Sequence, residues 1–202
     1  MLPEGFVYLD EAVPGVRWDA RYATSNNFMG RPADGYRVNR VVCSLACAEA
    51  LISAQRAAEK RGLGLFVFDA YRPNRAVRDF CAWARDENDT LRKALHYPNT
   101  EKRDLIPQGY IAERSGHSRG SSIDLTLCDA NGAFLDMGGR FDLMDPSSWH
   151  DSPLVTRAQT ENRELLRSIT LESGFSDYDK EWWHYLLKNE PFPNMYFDFV
   201  IE

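Results

Sequence analysis

The stretch "SGHSRGSSIDLTL", residues 115–127, holds a histidine and an aspartate seven positions apart in a glycine- and serine-rich run that becomes alternating. From Ser121 onward Ile123, Leu125 and Leu127 fall on one side, and Ser122, Asp124 and Thr126 on the other. That period of two is the signature of a half-buried strand. Asp124 therefore points away from the face its apolar neighbours bury, and the preceding loop delivers His117. A carboxylate on a strand with an imidazole beside it makes half of a site.

Working outward, "GLFVFDA" (64–70) is a short apolar run of strand type, and "PGVRWDARYAT" (14–24) reads as a turn leading into another strand. Residues 44–61 have helical apolar spacing, with Ser44 as N-cap and Gly62 as stop. A second helix starts near Pro73, a residue favoured in the first turn, and a third spans roughly 156–173 and ends at Gly174. Residues 26–36 and 87–114 read as loops, the latter long enough to have a function. "CDANGAF" turns the Asp124 strand back through Asn131-Gly132, and "EWWHYLLKN" (181–189) reads as a last strand. Strands and helices follow one another without strict βαβ alternation. The pattern predicts a single α+β domain over residues 1–202, a mainly antiparallel sheet flanked by helices, with the site at the sheet surface.

At 202 residues, 44% of them apolar and 12% aromatic, the chain can bury one substantial core. A net charge of −6 argues against nucleic-acid binding, which usually needs a basic patch. No run approaches the ~18 apolar residues of a membrane span. The first fifteen residues have neither the basic nor the apolar region of a secretory signal, so a cytoplasmic protein is expected. The four cysteines include no C-x-x-C pair, which favours small buried core residues over a thiolate metal site.

The second half of the site sits in "EWWHY" (181–185). If the strand starts at Glu181, His184 shares a face with Trp182 and Leu186. His117, Asp124 and His184 then make a set of two imidazoles and one carboxylate, the usual count for catalytic zinc with a fourth position left for water. Glu181, three residues before a ligand, is placed to take a proton from that water. Each residue also has a plainer reading: a hydrogen-bonded core histidine for His184, a capping or surface residue for Asp124. His96 and His150 have no carboxylate at useful spacing and read as structural or exposed. An E-x-x-H pair can be half of a di-iron site, but no other glutamate here has a histidine three residues on.

Taken together, S-x-H-x-x-G-x-x-x-D at 115–124 and E-W-W-H-Y at 181–185 resemble the VanX-type D-alanyl-D-alanine dipeptidases, zinc peptidases related to D,D-carboxypeptidases. "GVRWDARYAT", "DGYRVNR", "FDAYRPNRAV", "MGGRFDLMD", "SGFSDYDKEWWHY" and "PNMYFDF" follow the family's order, so the resemblance covers nearly the whole chain. It implies one zinc ion per chain at His117, Asp124 and His184, Glu181 as general base and acid, and the dipeptide D-Ala-D-Ala as substrate. It also implies a role near the scissile carbonyl for Arg72 of the Y-R-P motif, substrate contacts from Ser115, Tyr22 and Asp142, and a homodimer. A surface ion pair with Asp69 or Asp79 is the plainer reading of Arg72. The family commonly has alanine where this chain has Ser122, whose hydroxyl is expected to reach Asp124. A D,D-carboxypeptidase or cell-wall endopeptidase would use the same ligands on longer peptides, and a non-catalytic binder would not need Glu181. Restriction to dipeptides requires a closed pocket, for which the loops at 26–36 and 87–114 are the candidate walls. The aromatic tail, "PFPNMYFDFV", can pack on its own core or on a partner.

Overall fold

A computed structural model describes all 202 residues. In chain order the elements are β1 (Phe6–Tyr8), α1 (Leu9–Ala12), β2 (Arg17–Trp18), β3 (Val42–Ser44), α2 (Leu45–Glu59), β4 (Gly64–Asp69), α3 (Asn74–Arg85), α4 (Lys93–His96), β5 (Ser122–Cys128), α5 (Arg157–Glu172), β6 (Phe175–Asp177) and β7 (His184–Leu187). Five strands form one sheet in the order β2-β4-β5-β7-β6, while β1 and β3 form a separate antiparallel pair. Only β2 and β4 run parallel. The others pair antiparallel, so the α+β class and the mainly antiparallel sheet hold.

Local chemistry sets the helix ends. Ser44 caps α2 by accepting from Cys47 N, and Gly62 ends the following turn at φ 73°, where a side chain would be strained. Thr156 and Gln159 form a capping box at the start of α5. Pro73 sits at the N-cap of α3, one residue ahead of the first helical turn.

Two expectations are corrected. β5 is not half-buried: all seven of its residues are buried, because the loops that carry the site cover its polar face. The last strand begins at His184 and not at Glu181. Trp182 N donates to Ser148 O and His184 N donates to Glu181 O, which closes a turn over residues 181–184 and keeps those donors out of the sheet. The turn after β5 forms as read, with Asp129 N donating to Ala133 O, but the returning segment makes only a single bridge, Cys128 with Phe134.

One cluster of 45 buried residues runs from Phe6 to Ile201. All four cysteines are buried and free within the chain. The long 87–114 loop contains α4 and is pinned by buried Tyr97, Leu105 and Ile111. The tail packs on its own core: Phe6 meets Phe192, Phe197 and Phe199 at ring-centre distances of 5.5, 4.8 and 5.0 Å, and Phe199 stacks on Tyr71 at 4.0 Å. No helix is long and apolar enough to cross a membrane.

The tail also bonds to the site's loops. Asn74 N donates to Phe197 O, Phe197 N to Ser118 O, and the Tyr71 hydroxyl to Phe199 O. Phe6 is the aromatic hub of this region and is 6% exposed. Replacing it by alanine should therefore cost about 3–5 kcal/mol, the usual range for a buried phenylalanine, as measured by urea unfolding.

Candidate active site

Antiparallel pairing of β5 with β7 sets Asp124 directly opposite His184, and the register of β4 sets Asp69 opposite Asp124. The β4–β5 ladder shifts register between Val67 and Asp69, an irregularity that re-aims the end of β4 towards the site. His117 comes from a 3-10 turn (Gly116–Arg119) capped by Ser115, whose Oγ accepts from His117 N at 3.2 Å.

Three side chains converge. His117 Nε2 lies 3.1 Å from His184 Nδ1 and 3.3 Å from Asp124 Oδ2, and His184 Nδ1 lies 3.0 Å from Asp124 Oδ1. Their ligand atoms all fall within 4.8 Å of one another. His117 Nδ1 faces Ala70 O at 2.6 Å. A carbonyl only accepts, so Nδ1 carries the proton and Nε2 turns a lone pair into the cluster, the tautomer a metal ligand needs. Burial pulls the His117 pKa down to about 4, which keeps the ring neutral. Burial would raise the Asp124 carboxyl, but His117 and His184 beside it outweigh that and hold it well below the usual carboxylate range. Two neutral-capable imidazoles and an ionised carboxylate, turned inward on a buried sheet surface, fit a four-coordinate metal ion with one position left over.

Glu181 lies at the rim, in the turn before β7, with Oε2 3.9 Å from His184 Nδ1. Burial raises its pKa to about 7. A carboxylate so tuned can both accept and return a proton near neutrality.

Arg72 does pair with Asp69, as its plainer reading held, but inside the protein and not at the surface. Its Nε donates to Asp69 Oδ2 at 3.0 Å, its Nη2 sits 3.4 Å from Asp124 Oδ2, and the side chain is 12% exposed. The guanidinium lies over the rings of Tyr22 and Phe80 at 4.8 and 5.1 Å. Asp79, the other partner considered, is taken by Arg31 at 2.6 Å. Beside Arg72, the Tyr22 hydroxyl donates to Asp142 Oδ2 at 2.9 Å. Asp142 holds a left-handed backbone at φ 59°, and burial pushes its carboxyl well above the usual range. His96 braces this corner from below, its Nδ1 2.9 Å from Asp142 O. His150 is buried against Tyr185, away from the cluster.

A cavity of about 310 Å³ brings these groups together, and Ser115, Tyr22, Asp142, Arg72 and Glu181 all line it. Both candidate loops supply wall: Phe28 from the first, Tyr110 and Ile111 from the second. The expected bond from Ser122 to Asp124 is absent, since Ser122 Oγ is buried without a partner. Alternate residues on one strand face stand about 6.6 Å apart, too far for that bond, and the hydroxyl abuts Gly116 instead. A Cβ at position 116 would lie 2.7 Å from Ser122 Oγ, so a side chain there would force the Ser122 hydroxyl to turn aside. In the sequence Asp69 was read only as a possible surface partner of Arg72, and its place inside the site was missed.

A convergent His–Asp–His set, a near-neutral glutamate at its rim and an inward-facing guanidinium have the chemistry of a candidate single-metal hydrolase site. Comparison with known proteins narrows the class. Residues 3–202 match the Peptidase M15 family described as D-Ala-D-Ala dipeptidase. The D-alanyl-D-alanine dipeptidase of Enterococcus faecium is 49% identical over 199 residues, covering 98% of each chain. That of Streptomyces coelicolor is 51% identical over 197 residues (97% of this chain, 98% of the relative), and that of Enterococcus faecalis 48% over 201 residues (99% and 100%). The chain belongs to the D-Ala-D-Ala dipeptidase family of peptidases.

Asp142 is costly to bury as a charge. Asparagine tolerates the same left-handed backbone and can still accept from Tyr22. Asp142→Asn should therefore melt no lower than the parent chain in differential scanning calorimetry, even where its activity is lost.

Proposed function

We propose that this protein hydrolyses D-Ala-D-Ala to two D-alanines with one zinc ion per chain, held by His117, Asp124 and His184. The observation that carries the reading is the inward convergence of those three ligand atoms with Glu181 at their rim. Bound there, zinc would polarise the amide carbonyl and lower the pKa of water from 15.7 towards ~7. Glu181 takes the proton as the water oxygen adds to the carbonyl carbon, and returns it to the nitrogen as the C–N bond breaks. Arg72, fixed by Asp69 and always protonated, offers a steady positive charge to the oxyanion that develops.

A D-dipeptide brings an ammonium and a carboxylate. Asp142, buried and paired only with the Tyr22 hydroxyl, suits the ammonium, which would also relieve its buried charge. The Ser115 hydroxyl already accepts from His117 N, so its own proton is free to meet a carboxylate oxygen. A cavity of about 310 Å³, at the low end for small-molecule sites, favours a dipeptide over a peptidoglycan stem. On this reading the substrate is a free dipeptide and the compartment the cytoplasm.

The deciding assay sets hydrolysis of D-Ala-D-Ala beside that of a D-Ala-terminated pentapeptide; equal turnover of the two would favour the carboxypeptidase reading. His184→Ala should lose zinc and activity together, whereas Glu181→Ala should keep about one zinc per chain while its rate falls by roughly 10²–10⁴. Elemental analysis beside steady-state kinetics separates ligand from base. Arg72→Ala should lower kcat by roughly 10²–10³ with a smaller change in KM, and Arg72→Lys should rescue only partly, because an ammonium cannot reproduce the guanidinium fork. Near-normal turnover in a folded Arg72→Ala protein would remove Arg72 from the reaction.

A further inference from the structure

Arg72 can serve a developing oxyanion only if its guanidinium is held still. A long side chain with four rotatable bonds does not hold itself. Two aromatic rings, Tyr22 and Phe80, confine the plane of the group, but they act without direction along it. The shorter directional hold is Asp69, whose Oδ2 accepts from Arg72 Nε at 3.0 Å, beside a longer contact from Nη2 to Asp124 Oδ2 at 3.4 Å.

Asp69 has a hold of its own. It is 1% exposed, and its second oxygen, Oδ1, accepts from the Tyr36 hydroxyl at 2.7 Å. With one donor on each oxygen the carboxylate plane is fixed. Remove the Tyr36 donor and that plane can rotate about the Cβ–Cγ bond, carrying Nε of Arg72 with it. Tyr36 in turn is buried, with its ring edge-on to Tyr22 at 5.9 Å. Its backbone is bracketed by Ile201: Ile201 N donates to Gly35 O and Arg37 N donates to Ile201 O, both at 2.9 Å. The order of holds thus runs from Ile201 to Tyr36, from Tyr36 to Asp69, and from Asp69 to Arg72.

We propose that Tyr36, which touches neither the cavity nor the metal-ligand cluster, is a positioning residue for the reaction, its hydroxyl fixing Asp69 so that Asp69 aims the Arg72 guanidinium into the site. The inference rests on the reading of Arg72 given above. Its effect belongs to the chemical step: Arg72 meets charge that appears in the transition state, so loosening it costs kcat more than KM.

The test is a double-mutant cycle in the zinc-loaded enzyme on D-Ala-D-Ala, with zinc content and melting temperature recorded for each variant. Tyr36→Phe removes only the hydroxyl. It should lower kcat roughly tenfold, less than the ~10² that a full 1 Å misplacement can cost, with KM within about threefold and zinc unchanged. On an Arg72→Ala background the same substitution should change kcat by no more than about twofold, the scatter of independent sites, because the group it positions is gone. Asp69→Asn, which keeps the shape but weakens the hold on Nε, should show the same dependence on Arg72 and serves if Tyr36→Phe folds poorly. Equal losses in both backgrounds would make Tyr36 merely structural and overturn the proposal, as would normal kcat in folded Tyr36→Phe. A harmless Arg72→Ala would instead end the reading of Arg72, and absence of D-Ala-D-Ala hydrolysis in the parent chain would end the proposed function itself.

Discussion

The rest of the site depends on one buried charge. Asp124 sits on the central strand of the sheet, 2% exposed, and an ionised carboxylate there is tolerable only if donors and positive charge surround it. His184 and Arg72 supply that surround from two different segments of chain, the neighbouring strand and the loop after β4. The cross-strand register that puts His184 opposite Asp124 is therefore more than a detail of the ladder. A slip of one residue would turn His184 to the other face and leave the carboxylate short of a partner. Packing, register and site chemistry are a single constraint at this point of the fold.

Much of this was legible in the residues themselves. The alternation from Ser121 to Leu127 put Asp124 on a strand face, and the cap at Ser44 with the stops at Gly62 and Gly174 bounded two long helices to within a residue or two. Local patterns carry such features because they depend on near neighbours. The start of the last strand was not legible. Glu181 to Trp183 read as strand by composition, and only a bond from Trp182 N to the distant Ser148 O turns them aside. Full burial of β5 was equally hidden, since the loops that cover its polar face lie far away in sequence. Arg72 shows the same limit. Its two candidate partners were visible, but which carboxylate it meets, and whether water surrounds the pair, depends on a register shift in β4 and on Arg31 occupying Asp79. Ser122 erred in the opposite direction, because nearness in sequence suggested a bond that strand geometry forbids.

On the proposed reading of Asp142, stability and recognition are in conflict. A left-handed backbone, burial and a single hydroxyl donor are poor terms for a carboxylate in the free protein. They are good terms for meeting a cation, since a group that is poorly served alone gains most from a partner.

The tail also orders events in time. Residues 197–201 bond to the loops bearing His117, Arg72 and Tyr36, yet they leave the ribosome after every one of those residues. A nascent chain can form its helices early, but the loops bearing His117, Arg72 and Tyr36 lack these ties until residues 197–201 are free to dock. Contacts that span most of a chain close slowly. A chain broken off before residue 197 has His117, Arg72 and Tyr36 in sequence but not the ties that hold their loops.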